Sequence, residues 1–249
     1  MSQTLTVGGL ELAYRDTGSS PAVLLVHGMA ADLCVWDGLI SELSGGARMI
    51  AYDRRGYGSS QAPVPYQATT VAEQAADAVE LLAALEVDSV LVGGSDLGAL
   101  IALELARHVP ERVTGLVLDE PPVLALAPTA TEALSAQRAG LEDALRQGGP
   151  GAAVDRWLGA QADNERRLRA QGAAGAFFAD YAGLASWPVT RRELRALRVP
   201  AEIVDSPTTA PHLLAAADAL AELLPHAQRS HHGDLTAGVR RVLKRSATP

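Results

Sequence analysis

At 249 residues, 48% of them hydrophobic, the chain is long enough for one sizeable domain with a large core. A formal net charge of −8 argues against nucleic acid or an anionic membrane surface as a main partner, and the single cysteine, Cys34, excludes an internal disulfide. The first residues, MSQTLTVGGLELAYRDTG, lack the basic and apolar stretches of a signal peptide, and no uncharged apolar run approaches a membrane span. These features predict a soluble, cytoplasmic protein. No C-x-x-C pair or H-E-x-x-H segment suggests a metal, and no cofactor is expected.

In chain order, TLTV and LELAYR flank Gly8 and Gly9 as a starting hairpin. The continuous apolar run AVLLV (22–26) reads as a buried central strand, followed by RMIAY (48–52). Val71, Ala75, Ala78, Val79 and Leu82 recur at helical spacing and predict a helix over 71–85. SVLVG (89–93) is a strand, Leu97–His108 a helix, VTGLVLD (113–119) and AEIVD (201–205) strands, and Pro211–Leu224 a helix. Strands alternating with helices predict an α/β fold on a mainly parallel sheet.

Residues 121–199 break that rhythm. They read as helices, Thr131–Gln147 among them, interrupted by GGPG at 148–151 and by Pro188. The expected organisation is a core of residues 1–120 and 200–249 with a helical cap insertion over 121–199. Five of the ten aromatics lie in the insertion: Trp157, Phe177, Phe178, Tyr181 and Trp187. Most are expected to form its small core, with Tyr181 and Trp187 open to a pocket role.

LVGGSDLGAL (91–100) is a strand that turns into a helix. Such a turn can hold one side chain at an exposed apex if small residues flank it in the pattern G-x-nucleophile-x-G. Centred on Ser95, the pattern puts Leu97 where the second glycine must stand. Centred on Asp96, it runs Gly94-Ser95-Asp96-Leu97-Gly98 and fits. Asp96 is therefore expected at the apex, against the plainer alternative that it only caps the helix behind it.

With these residues the chain resembles the α/β-hydrolase superfamily over nearly its whole length. LLVHG stands at the usual oxyanion loop, YDRRGYGSS matches the D-x-R-G-x-G-x-S segment, and ARHVPERVTGLVLDEPP matches the helix and strand after the elbow. An aspartate at the apex further resembles the epoxide hydrolases and the haloalkane and fluoroacetate dehalogenases. The resemblance implies an alkyl-enzyme ester on Asp96, later hydrolysed by a base-activated water. The backbone N–H groups of Met29 and Leu97 would hold the oxyanion. Epoxide opening is the leading expectation. Dehalogenation, a non-hydrolytic lyase, isomerase or cyclase, a ligand receptor and a serine esterase using Ser95 are the alternatives.

Several positions depart from the family pattern. The loop reads HGMA rather than H-G-x-P, and Leu97 replaces the tryptophan usual after the nucleophile. Tyr181, the only tyrosine of the insertion, would protonate the leaving oxygen. The turn after AEIVD carries no acid and Asp205 lies early, so Glu120 is the expected third carboxylate, orienting the histidine. The base is expected in RSHHGD, with His231 preferred over His232, behind a last strand that must be very short or absent. Arg54, Arg55 and His27 read as structural loop residues, Asp32 and Asp37 as helix starts, and Trp36 as packing.

Overall fold

Two tandem glycines with positive φ, Gly8 (56°) and Gly9 (80°), turn β1 (Gln3–Val7) back onto β2 (Leu10–Thr17). The computed structural model describes residues 2–127, 130–160, 162–184 and 187–246. The remaining strands are β3 (Ala22–Val26), β4 (Arg48–Tyr52), β5 (Val90–Ser95), β6 (Val113–Asp119), β7 (Ala201–Val204) and β8 (Ala227–Ser230). They form an eight-stranded sheet in the order β1-β2-β4-β3-β5-β6-β7-β8. Only β2 runs antiparallel to its neighbours; β3 through β8 pair in parallel.

The period-two alternation of the strands builds two cores. Leu24, Val26 and Ile50 face one side, against α2 (Val71–Ala84), α3 (Leu97–His108) and α8 (Pro211–Leu223). Val23, Leu25, Met49 and Ala51 face the other, against α1 (Asp37–Leu43) and α9 (Leu235–Ser246). Helices on both faces explain why β3 is apolar at every position.

Between β6 and β7 the described chain is helical: α4 (Ala130–Leu158), α5 (Asn164–Gly172), α6 (Ala174–Leu184) and α7 (Arg191–Ala196). A short turn of 3-10 helix, Leu124–Leu126, precedes them. GGPG interrupts α4 as expected: Gly149 takes φ 75°, outside helical geometry, and Pro150 starts a second helical limb. Phe177 centres an aromatic cluster, with ring centroids 5.4 Å from Trp157, 5.2 Å from Phe178 and 6.1 Å from Tyr181. Trp187 is tied to the core, its indole N–H donating to the buried Glu104 of α3 at 3.0 Å.

A buried polar knot pins these helices to the sheet. Asp180 of α6 pairs with the Arg54 guanidinium at 2.8 Å and accepts from Tyr57 Oη and Gln74 Nε2, both at 2.7 Å. Arg54 also donates to the carbonyls of His27 and Gly28, each at 2.9 Å, so one side chain ties the insertion to the loop after β3. His27 is buried in that loop and accepts from the Arg54 amide, a structural part. Among the described residues no helix is long and apolar enough to cross a membrane.

Candidate active site

β5 runs on to Ser95, two residues past the expected strand end, so the turn into α3 falls on Asp96. Asp96 takes φ 52°, ψ −124°, a backbone conformation that costs a non-glycine residue energy and persists only where its surroundings enforce it. They do. A Cβ on Gly98 would lie 2.0 Å from the Val26 carbonyl, one on Gly94 2.2 Å from the Gly98 carbonyl, and one on Gly28 2.8 Å from Asp96 Cβ. The elbow closes only with glycine at all three positions. Asp96 makes no capping bond to α3. Its Oδ2 instead accepts from the Met29 N–H at 3.0 Å, and the Leu97 amide reaches the same carboxylate. Burial pushes the Asp96 carboxyl up to about 6, against the pull of these two amides.

Ser95, one residue short of the apex, donates from Oγ to Asp119 at the end of β6 at 2.9 Å. Burial raises Asp119 to about 7; the Ser95 hydroxyl opposes this, while the charges of Glu120, Asp96 and Asp205 add to it. Three adjacent parallel strands thus end in carboxylates on the same edge of the sheet.

The carboxylate that meets the histidine is Asp205 and not Glu120. His231 Nδ1 lies 3.3 Å from Asp205 Oδ2, and the His232 amide donates to Asp205 Oδ1 at 3.1 Å. Arg229 lies 2.5 Å from the same carboxylate. Burial raises Asp205, but the His232 amide and Arg229 outweigh it and leave the carboxyl below its usual range. Glu120, at φ 48°, turns away: its Oε1 accepts from Ser206 at 2.9 Å and from Thr209. The SPTTAP turn, which carries no acid, therefore serves to hold Glu120. β8 has only four residues, so His231 leaves its end at once and stays 58% exposed; His232, at φ 55°, is exposed as well.

A cavity of about 410 Å³ opens over Asp96, within the size range of small-molecule sites. Gly28, Met29, Ser95, Asp96 and Glu120 form its floor, and Leu134, Gln137, Trp157 and Arg166 from the inserted helices form its roof. Its lining contains His212, from the first turn of α8, but neither His231 nor His232. Tyr181 is also elsewhere: it lines a neighbouring cavity with Arg138, Leu141 and Phe178. Trp36, expected in packing, joins both the core beside α1 and the cavity wall.

The family model of the alpha/beta hydrolase fold matches residues 21–148, about half of the chain. This chain is a member of the α/β-hydrolase family. An uncharacterized protein of Mycobacterium tuberculosis is 35% identical over 117 residues, covering 47% of this chain and 33% of that protein. An uncharacterized hydrolase of Bacillus subtilis is 34% identical over 123 residues, 49% of this chain and 45% of its own. The matches thus span less than half of either curated relative. Among solved structures, a thermophilic esterase from Thermogutta terrifontis is similar over 100% of both chains, with TM-score 0.79 and 25% identity. An epoxide hydrolase from Vigna radiata covers 99% of this chain and 95% of its own at TM-score 0.74 and 19% identity, a likeness of fold.

Within this α/β hydrolase, sequence reasoning passed over Asp119, His212 and Arg166, and weighed Asp205 but set it aside as lying too early. Asp119 and Asp205 had a usable signal: each stands at the carboxyl end of a parallel strand, where open α/β sheets bind ligands. His212 and Arg166 had none, since the facing of a helix across a loop of unknown path is not written in spacing.

Proposed function

We propose that this hydrolase works through Asp96 as a covalent nucleophile, on a small epoxide above all. One Asp96 oxygen attacks an sp³ carbon; the carbon–oxygen bond of the ring breaks, and the leaving oxygen takes a proton. A base takes a proton from water as it adds to the carbonyl of the resulting ester, and the N–H groups of Met29 and Leu97, which already face the carboxylate, hold the developing oxyanion. Its collapse breaks the acyl–oxygen bond, releases the diol with its leaving oxygen protonated, and restores the Asp96 carboxylate. The proposal rests above all on the Asp96 carboxylate at the strained apex, facing a cavity and held by the amides of Met29 and Leu97.

For the second step the Asp205–His231 pair supplies an oriented imidazole, with Asp205 in the part expected of Glu120. A second assignment, His212, is favoured by its presence in the cavity lining, from which His231 is missing. His212 is also better situated than Tyr181 to protonate the leaving oxygen. Glutamine at the true base blocks ester hydrolysis and traps an adduct, so His231→Gln and His212→Gln separate the two assignments by intact mass.

A serine esterase acting through Ser95 is the rival, favoured by the esterases among the structural neighbours. Against it, Ser95 ends β5 short of the apex and spends its hydroxyl proton on Asp119. Turnover of an epoxide, haloalkane and ester panel decides the matter. Asp96→Asn should abolish it and Ser95→Ala should retain much of it; the reverse pattern refutes Asp96.

A further inference from the structure

The cavity that holds Tyr181 is larger than the one over Asp96, about 640 Å³ against about 410 Å³. The two adjoin: Leu124, Leu134 and Gln137 line both, so their boundary consists of side chains of α4 and the short helix before it. Their chemistry differs. The Asp96 cavity gathers polar groups, Glu120, Gln137, Arg166 and His212. The outer cavity is walled by Leu134, Leu141, Leu145, Phe178 and Tyr181. Its charged groups, Arg138 and Glu142, already pair with each other at 2.7 Å and offer no free charge to an ionic ligand. Burial raises the Tyr181 hydroxyl, which keeps it neutral. Leu145 leaves 38% of its surface in solvent, the state of an apolar wall awaiting cover.

We infer that the outer cavity is a subsite for an uncharged alkyl or aryl chain of the substrate, whose reactive end lies at Asp96. This rests on the proposed role of Asp96 and adds the substrate class: a molecule with one small polar, reactive end and a long apolar remainder. Tyr181 is then part of the wall that receives the apolar chain.

The test is binding of primary alcohols from butanol to decanol by calorimetry, which needs no turnover. Burying each methylene is worth ~0.8 kcal/mol, about fourfold in affinity. Wild type should gain about that factor per carbon, with a negative heat-capacity change. Ala182→Trp, which fills the cavity from its exposed rim, and Leu145→Gln, which makes its wall polar, should flatten the series while leaving butanol binding unchanged. A flat wild-type series, or a slope unaltered in both variants, overturns the subsite. If Asp96 is not the nucleophile, no alkyl ester forms with epoxybutane or epoxydecane, yet the alcohol series still decides the subsite.

Discussion

Replacing Asp96 by asparagine should stabilise this protein at neutral pH. In the unfolded chain an aspartate titrates near 3.9; in the folded one, burial raises Asp96 to about 6. The folded state therefore holds its proton more tightly, and wild type loses stability as pH rises from about 4 to 6, with no further loss from this group above that. Two pH units at 1.36 kcal/mol each set an upper limit of ~3 kcal/mol. Asparagine keeps the shape and a carbonyl oxygen for the Met29 N–H but carries no charge to desolvate. At 2–4 °C per kcal/mol for a chain of this size, the variant should melt up to ~6–12 °C higher at pH 8 and close to wild type at pH 4. Asp119 titrates in both proteins and largely cancels; removing its charged neighbour eases its own ionisation and shifts the difference the same way. Calorimetric melts of both proteins from pH 4 to 8 measure the gap. A gap that does not change with pH, or a variant less stable at pH 8, refutes the claim that Asp96 is held ionised against its surroundings.

Other outcomes follow from the same geometry. Asp180→Asn leaves the Arg54 guanidinium buried without its counter-charge and should cost about 3–5 kcal/mol in urea unfolding. Gly98→Ala puts a Cβ against the Val26 carbonyl and should yield little folded protein, whereas Gly175→Ala, with nothing within 4 Å of its Cβ, should fold normally; yields and circular dichroism compare them. In the alkylation step, the single-turnover rate should rise as pH approaches about 6 and Asp96 ionises; a rate that falls over that interval contradicts an ionised nucleophile. Asp205→Asn removes the carboxylate that orients His231 and should slow hydrolysis of the Asp96 ester in single-turnover experiments; an unchanged rate contradicts the pairing.

The elbow was legible because its information is local. Small residues two positions either side of a reactive one, read in the correct register, fix which side chain stands at the apex, and the clashes at Gly94 and Gly98 give the physical reason. The sheet was legible for a similar reason, since strands buried on both faces appear as unbroken apolar runs. The acid beside the histidine was not. β7 ends at Val204, so Asp205 is the first residue free to turn toward β8, while Ser206 and Thr209 draw Glu120 away. Both facts depend on where a turn folds back, which spacing does not encode. Tyr181 stands apart from the Asp96 cavity for a helical reason: its place on α6 sets it against Phe177 and the outer cavity, a facing decided by how α6 packs on α4.

The hydroxyl oxygen newly added to the product should come from Asp96 and not directly from water. One turnover of a reactive epoxide in ¹⁸O-water, with enzyme in excess, tests it most directly, with mass analysis of both the product and the peptide that carries Asp96. The first product should be unlabelled, and the Asp96 carboxylate should carry one ¹⁸O. Label in the first product, with none in that peptide, would contradict it.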